Sequence, residues 1–340
     1  MNIATVLTKR ELNLVTGEVY TMFKLEVSNF RVLRSASIEV KRGINILYGP
    51  NGAGKSSIIY ALLSQTGIQD GRELDLESKL KLSPQTIIRV IQADSRLRLE
   101  YDSGEYKCSY VEDDEVKSVS SESILGVGQC YWRFWHTLGV YRITWIAGDI
   151  VRMFDVFGSL SSILLKYYED VINMNVNLWD RDGWFNLTQV PLMDFEGRLP
   201  RNLLGDIASL TDVNYMHRGR ALKSLNGEEV WMPITSLSYG ERKIILLLLA
   251  AYYSDMVVVE GFEGGLHFDL AVNLLDTLED YNKYVIAETH MGILIPVGLE
   301  RGWNIYYVSG GEAVKVTKEN IFEIELFRRE LETYKTIRGF

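Results

Sequence analysis

The segment Gly49-Pro50-Asn51-Gly52-Ala53-Gly54-Lys55-Ser56 fits the pattern G-x-x-x-x-G-K-[ST] at every position. In that pattern the glycines let the chain curl so that successive backbone N–H groups converge on a phosphate. The start of the following helix adds the positive end of its dipole. Lys55 can then reach the β- and γ-phosphates of a nucleoside triphosphate, and the Ser56 hydroxyl is placed for Mg2+. A plain glycine turn needs neither the apolar run Ile44–Tyr48 before it nor the Lys-Ser pair after it. The pattern points to ATP and Mg2+ held by Gly49, Asn51, Gly52, Ala53, Gly54, Lys55, Ser56 and Ser57.

A second group lies far along the chain. Leu237-Ser238-Tyr239-Gly240-Glu241 precedes an apolar stretch, and Ser238-x-x-Glu241 reads as a capping box that would start any helix. Gly240 in the first turn costs helix stability relative to alanine, which implies that something approaches the backbone closely there. A serine hydroxyl, a glycine N–H and a helix dipole together make a second phosphate-binding surface. Met256-Val257-Val258-Val259-Glu260 is an apolar strand ending in a carboxylate suited to a Mg2+ shell, and Tyr284–Ala287 is a strand followed by Glu288-Thr289-His290.

These groups need a scaffold to bring them together. Period-two alternation predicts a strand at Phe23–Val27, with further strands at Ser37–Val40 and Ile44–Tyr48. A helix begins near Lys55. β-Branched residues cluster from Thr86 to Val119 around the turn Asp102-Ser103-Gly104, which predicts an antiparallel sheet. The aromatic run Tyr131-Trp132-Arg133-Phe134-Trp135 is read as core, since aromatics carry the largest burial per residue, and base stacking is the alternative. Ile150–Val176 carries apolar residues at helical spacing, and Trp179–Gly227 reads as loop-rich, with a basic patch at Met216–Lys223. Helices are expected at Ser238–Tyr253, Asp269–Leu278 and Asn320–Lys335, and strands at Met256–Val259, Tyr284–Ala287 and Asn304–Val308.

The chain has 340 residues, 47% hydrophobic and 24% charged, with a net charge of −9. That is globular composition, and it leans against a dedicated DNA binder, which draws most of its affinity from a basic surplus. The longest apolar run, Ile244–Tyr253, is about half of what a membrane span requires. Met1–Arg10 lacks the charged start and apolar core of a signal peptide. Two cysteines, Cys108 and Cys130, make neither a disulfide framework nor a four-ligand zinc site. A soluble cytoplasmic protein is the expectation, with no membrane partner.

The order of phosphate loop, L-S-x-G-E, acidic strand and strand-then-histidine resembles the ABC-class ATPases, and within them the SMC/RecF/OLD group. Phe23–Ser57 is similar to the opening of those proteins, and Glu260–His267 (EGFEGGLH) to their D-E-P-E-x-x-L-H segment. The resemblance reaches to about residue 65 and returns over 231–310. It implies an α/β fold: a P-loop ABC-type ATPase head with an antiparallel β subdomain and a helical or loop insertion. The expected divisions are an N-terminal lobe over 1–130, an insertion over 131–230 and a C-terminal lobe over 231–340. It further implies a homodimer formed on ATP, with Lys55 and Ser56 of one copy facing Ser238 and Gly240 of the other. His290 would sense the γ-phosphate, Arg31 would lie near the nucleotide, and Ser56 and Glu260 would serve the metal.

The sequence departs from that family in two places. Gly261 stands where the catalytic glutamate is expected, which leaves Glu263 or Glu260 to activate water and predicts slow turnover. The glutamine that would also contact Mg2+ has no clear match, and Gln129, after Gly126-Val127-Gly128, is preferred over Gln92. The segment between Ser56 and Ser238 is too short for paired coiled-coil arms. The implied role is ATP-driven DNA repair or maintenance. The alternative is a weakly hydrolysing, nucleotide-gated scaffold that docks a partner protein in defence against mobile elements.

Overall fold

The computed structural model describes residues 21–67, 82–92, 97–112, 115–147, 150–156, 184–186, 199–217 and 220–338. Five short parallel strands form its centre: β8 (Arg142–Ala147), β14 (Met256–Glu260), β15 (Tyr284–Thr289), β3 (Gly43–Tyr48) and β16 (Asn304–Ser309), adjacent in that order. Such strands are buried on both faces and so read as apolar runs instead of alternating ones. Ile44, Ile46, Val257, Val259, Val285 and Ala287 face one core, while Leu47, Met256, Val258, Tyr284 and Ile286 face the other. The first core is closed by α4 (Tyr239–Tyr253), α5 (Phe268–Asp280) and α6 (Leu294–Arg301), and the second by α1 (Lys55–Ser64) and α2 (Gly128–Thr137).

Beyond β16 the sheet continues through β17 (Glu312–Lys315), β2 (Leu33–Lys41), β1 (Met22–Phe30), β4 (Ile87–Gln92), β5 (Leu97–Asp102), β6 (Glu105–Glu112) and β7 (Glu115–Ser121). The β1–β4–β5–β6–β7 pairs are antiparallel, as the β-branched cluster predicts. Asp102 pairs with Glu105 across Ser103 and Gly104, both at positive φ, the backbone that a two-residue hairpin demands. The α/β head with its antiparallel subdomain is therefore present as read.

Three expectations about local structure give way to tertiary pairing. Ile150–Asp155, expected to be helical, is strand β9, paired antiparallel with β8; the rest of that stretch from 157 to 176 lies outside the described residues. An apolar run of this length satisfies either period, and an open sheet edge decided it. The region read as loop contains helix α3 (Arg201–Thr211) and a separate antiparallel sheet of β11 (Val213–His217), β12 (Arg220–Leu225) and β13 (Glu228–Pro233). At the C-terminal end, a short turn at Ile321–Glu323 precedes helix α7 (Glu325–Arg338), so the helix begins later than Asn320. Helix α2 spans residue 130, and β8 inserts into the central sheet beside β14, so chain beyond 130 is woven into the same sheet as the phosphate loop.

The aromatic run is core. Tyr131, Phe134 and Trp135 on α2 are buried, and the Trp135 indole N–H donates to the Gln65 carbonyl at 2.8 Å. Phe23 packs edge-on against Trp135 with ring centroids 5.5 Å apart. Cys108 on β6 and Cys130 on α2 are joined in a disulfide, which ties this helix to the antiparallel sheet. Among the described residues no helix is long and apolar enough to cross a membrane. Trp135→Ala removes a fully buried ring together with its hydrogen bond. The expected loss is about 3–5 kcal/mol of stability, seen as a lower urea midpoint at unchanged slope.

Candidate functional site

The phosphate loop bridges the end of β3 and the start of α1. Its glycines are required by contact as well as conformation. A side chain at Gly49 would meet the Val308 carbonyl at 2.2 Å, and one at Gly54, where φ is +113°, would meet Leu33 at 2.6 Å. Gly52, at φ +72°, faces open space. Asn51 and Gly52 form the exposed lip of the loop, while Ala53 and Ser57 are buried. The loop therefore presents a cradle free of side chains directly before a helix start, which suits an anionic oxygen.

Lys55 is 3% exposed and lies across its own loop, donating to the carbonyls of Gly49 and Pro50 at 2.9 Å each. Burial holds its pKa below the ordinary lysine value, with Glu288 and Glu263 pulling the other way. The Glu288 carboxylate stands 3.7 Å from the ammonium and accepts the Ser56 hydroxyl at 2.7 Å. His290 Nδ1 is 2.9 Å from the Gly49 carbonyl and 3.3 Å from Lys55 Nζ. A carbonyl only accepts, so the contact with Gly49 requires the proton on Nδ1. Strands β15 and β3 are adjacent, with Glu288 opposite Leu47, and this register carries Glu288 and His290 to the loop.

Glu260 sits one strand further out. Its two carboxylate oxygens accept from the Trp145 indole at 2.7 Å and from the Tyr60 hydroxyl at 2.8 Å. Burial, reinforced by the Glu260 charge, drives the Tyr60 phenol well above its usual pKa, so it remains a donor. Arg31, exposed at φ +55° in the turn between β1 and β2, stacks over the Tyr60 ring at 4.7 Å. The adjoining Val32 and Leu33 pack on Gly54, so Arg31 does stand beside the phosphate loop.

Glu263 also arrives at the loop. One of its oxygens accepts the His290 backbone N–H at 2.8 Å, and the other is buried without a partner among the described residues. A buried acceptor left open in this way is one that water or a cation would satisfy. Gly261 adopts φ +58° with open space around it, a left-handed backbone that explains glycine at this position.

The Ser238 turn is built as the capping box anticipates. Glu241 N–H donates to Ser238 Oγ at 3.2 Å, and Ser238 N–H donates to the Glu241 carboxylate at 2.7 Å. Lys223 of β12 also pairs with Glu241. A side chain at Gly240 would strike the Gly265 carbonyl at 2.4 Å, so the close approach inferred from this glycine is met within the chain. Fully buried Lys243, one turn on, donates to the carbonyls of Gly261 at 2.8 Å and Gly264 at 3.1 Å. The loop 261–265 thus touches the Ser238–Gly240 turn on one side and, through Glu263, His290 on the other.

Gln129 is not brought to this site. It is exposed on the first turn of α2, whose Tyr131 and Trp135 touch Gln65, past the end of α1 remote from Lys55. Gln92 bonds Thr137 at the far end of the same helix. The residue opposite Glu260 on β8 is Ala147. Trp145, Tyr60 and Lys243 were not legible as site residues, because each reads as core until sheet register and helix packing place it. Glu288 had a visible signal, a carboxylate between an apolar strand and a histidine.

The cradle and the oxygen donors suit Mg2+ with a triphosphate. Ser56 offers a hydroxyl, and Glu260 and Glu288 offer carboxylates, the hard ligands that Mg2+ takes alongside phosphate and water. Among the described residues no cluster of three or more His, Cys, Asp or Glu could hold a metal unaided. A metal here would depend on the nucleotide for part of its shell.

An AAA domain family matches residues 24–125. Over 54 residues the chain is 35% identical to the chromosome partition protein Smc of Methanocaldococcus jannaschii, a stretch covering 16% of this chain and 5% of that protein. Over 42 residues it is 45% identical to the DNA replication and repair protein RecF of Teredinibacter turnerae, covering 12% of this chain and 11% of that protein. The SMC head domain from Thermotoga maritima superposes with a TM-score of 0.43 at 16% identity, covering 87% of this chain and 98% of that one. The SmcHead bound to the C-winged helix domain of ScpA gives 0.49 at 13% identity, over 89% and 100%. The phosphate loop, capped L-S-x-G-E helix, acidic strand and histidine are assembled on one parallel sheet, and the chain is similar to an AAA domain family and, over short stretches, to Smc and RecF proteins, of whose length it matches only a small part.

Proposed function

We propose that the chain is an ATP-gated switch: it binds ATP with Mg2+ at the phosphate loop, and two copies close on the nucleotide through the Ser238–Gly240 turn. The observation that carries this reading is the path of contacts from Lys55 through His290 and Glu263 to loop 261–265, and from there to Gly240 and Lys243. One loop touches both the phosphate end and the turn that would meet a second copy. A γ-phosphate that draws Lys55 and His290 off the Gly49 carbonyl would therefore be felt at the Ser238 turn, giving two states distinguished by phosphate contacts. When bound, Mg2+·ATP supplies the phosphoanhydride bond and neutralises part of the charge on its own oxygens. Lys55 and the loop N–H groups bind it, and Ser56 and Glu260 hold the metal.

Hydrolysis is slow in this reading. Gly261 has no side chain to orient water, and this reading assigns the proton to Glu263, two residues on, whose carboxylate also accepts the His290 backbone N–H. Service in DNA repair or maintenance accords with the Smc and RecF relatives. The acidic balance of the chain favours the second reading, in which the ATP-bound dimer docks a partner protein. One SMC head was itself solved with a ScpA domain, which makes such docking reasonable here. A cytoplasmic location belongs to the same proposal and must accommodate the buried Cys108–Cys130 bond.

Light scattering with and without ATP and Mg2+ tests the dimer. Wild-type mass should double with ATP, Lys55→Ala should stay monomeric and lose nucleotide binding by at least about 100-fold, and Ser238→Arg should bind ATP yet remain monomeric. A monomeric wild type saturated with ATP removes the switch. Phosphate release tests the base: Glu263→Gln should lower turnover about 100-fold while leaving ATP affinity within a few-fold. Unchanged release excludes Glu263. Gly261→Glu is a poorer probe, because a left-handed backbone there disfavours any side chain.

A further inference from the structure

We infer that Glu330, on the C-terminal helix α7, is a positioning residue for His290, so that the seating of α7 and the occupancy of the phosphate loop depend on each other. The inference rests on the switch proposed above and names the element through which nucleotide state leaves the site.

The pattern of α7 singles out Glu330. Phe327, Glu330 and Leu331 fall at i, i+3 and i+4 and so share one helix face. Leu326, Phe327 and Leu331 pack on the first core, while Glu325, Arg328, Arg329 and Glu332 are exposed. An acid on the inward face of such a helix costs stability unless a donor meets it. That donor is the N–H of Gly292, just past His290. Gly292 does not have a left-handed backbone, so space and not conformation requires glycine there. A side chain at this position would overlap the Glu330 carboxylate and would meet the Tyr48 hydroxyl at 2.9 Å.

Glu330 therefore touches both chain segments that flank the sensing contact. Tyr48 immediately precedes Gly49, whose carbonyl faces both Lys55 and His290. Gly292 leads from the histidine into α6, since the Ile295 N–H donates to the Gly292 carbonyl at 3.0 Å. The Tyr48 hydroxyl is fully buried, yet no acceptor among the described residues completes a hydrogen bond to it. Burial first, and then the Glu330 charge, holds this phenol far above its usual pKa, so it remains a donor. A buried donor in that state costs stability until an acceptor reaches it, and Glu330 is the carboxylate facing it across Gly292. Glu263 holds the His290 N–H from the other side at 2.8 Å. The histidine turn is thus gripped between the loop after β14 and helix α7.

A γ-phosphate that draws His290 off the Gly49 carbonyl shifts Gly292 against Tyr48. Glu330 cannot keep one relation to both, so α7 reseats with the turn. By linkage, whatever moves α7 changes the preference for triphosphate by the same factor.

The test is hydrogen–deuterium exchange on the full chain with Mg2+ and either ADP or adenylyl imidodiphosphate, a non-hydrolysable ATP analogue. The two dissociation constants are measured alongside. In wild type, exchange across 325–338 should differ between the nucleotides by about fivefold or more. Glu330→Ala should erase that difference and narrow the preference for triphosphate by about 5- to 10-fold, with the phosphate loop still protected by nucleotide. Glu330→Gln keeps an acceptor for both donors and should stay within about twofold of wild type. Glu325→Ala, which removes an exposed acid paired with Arg329 on the same helix, should change neither readout. If α7 of Glu330→Ala exchanges freely in every state, Gly292→Ala takes its place. It displaces the carboxylate with the helix sequence intact, and it should erase the same difference. A wild-type α7 indifferent to nucleotide, or a difference that survives in the alanine variant, overturns the inference while ATP binding stands. A wild-type phosphate loop protected by neither nucleotide overturns the switch, and the inference with it.

Discussion

The structure turns on one buried cation. Lys55 is almost wholly withdrawn from water, and an ammonium in that position is tolerable only if its protons and its charge are met nearby. The carbonyls of Gly49 and Pro50 accept two of the protons, and the Glu288 carboxylate supplies the opposing charge. Meeting those needs fixes the relative positions of β3, β15 and α1, because each contributes one of the partners. The loop is consequently arranged around an ammonium group that can also pair with phosphate oxygens. In the proposed switch, exchange of these carbonyls and this carboxylate for phosphate oxygens is the event that separates the two states.

From that point constraint spreads through the loop after β14. Glycines at 261 and 265 take left-handed backbone, Lys243 pins two of the loop carbonyls, and the missing side chain at Gly240 lets the Gly265 carbonyl sit against the first turn of α4. Close packing makes such an interlock respond in discrete steps instead of bending gradually. Glu263 couples the loop to the His290 backbone, so the loop has little freedom to shift without disturbing the phosphate side. The C-terminal helix is drawn in as well. The Glu330 carboxylate lies over Gly292, in space that a side chain there would fill, and α7 therefore packs directly behind the histidine turn.

The acidic residues show how the same side chain takes different work from its surroundings. Glu260 is a tie held by an indole and a phenol, Glu288 is the counter-charge of a buried lysine, and Glu263 orients a backbone N–H while leaving one oxygen open. All three lie at or just beyond strand ends in a parallel sheet, where α/β proteins gather their chemistry. Their separate roles come from which neighbouring strand and helix each one meets.

The phosphate loop, the capped turn at Ser238 and the central strands were legible in the sequence, since each is specified by local chemistry. Glycines permit the loop, Ser238 and Glu241 cap their own helix, and runs such as INILY and MVVVE have no stable place except a two-faced sheet. Ile150–Asp155 was misread because an apolar run fits either period until an open strand edge claims it. Gln129 was misplaced because nothing local says which end of α1 its helix will meet. The Gly240 contact with Gly265, the Trp145–Glu260–Tyr60 tie and the Ser56–Glu288 pair join residues many positions apart. Only strand register and helix packing bring them within bonding distance. Backbone conformation and capping act over a few residues and are written in sequence, whereas partners for buried charge are chosen by the whole sheet.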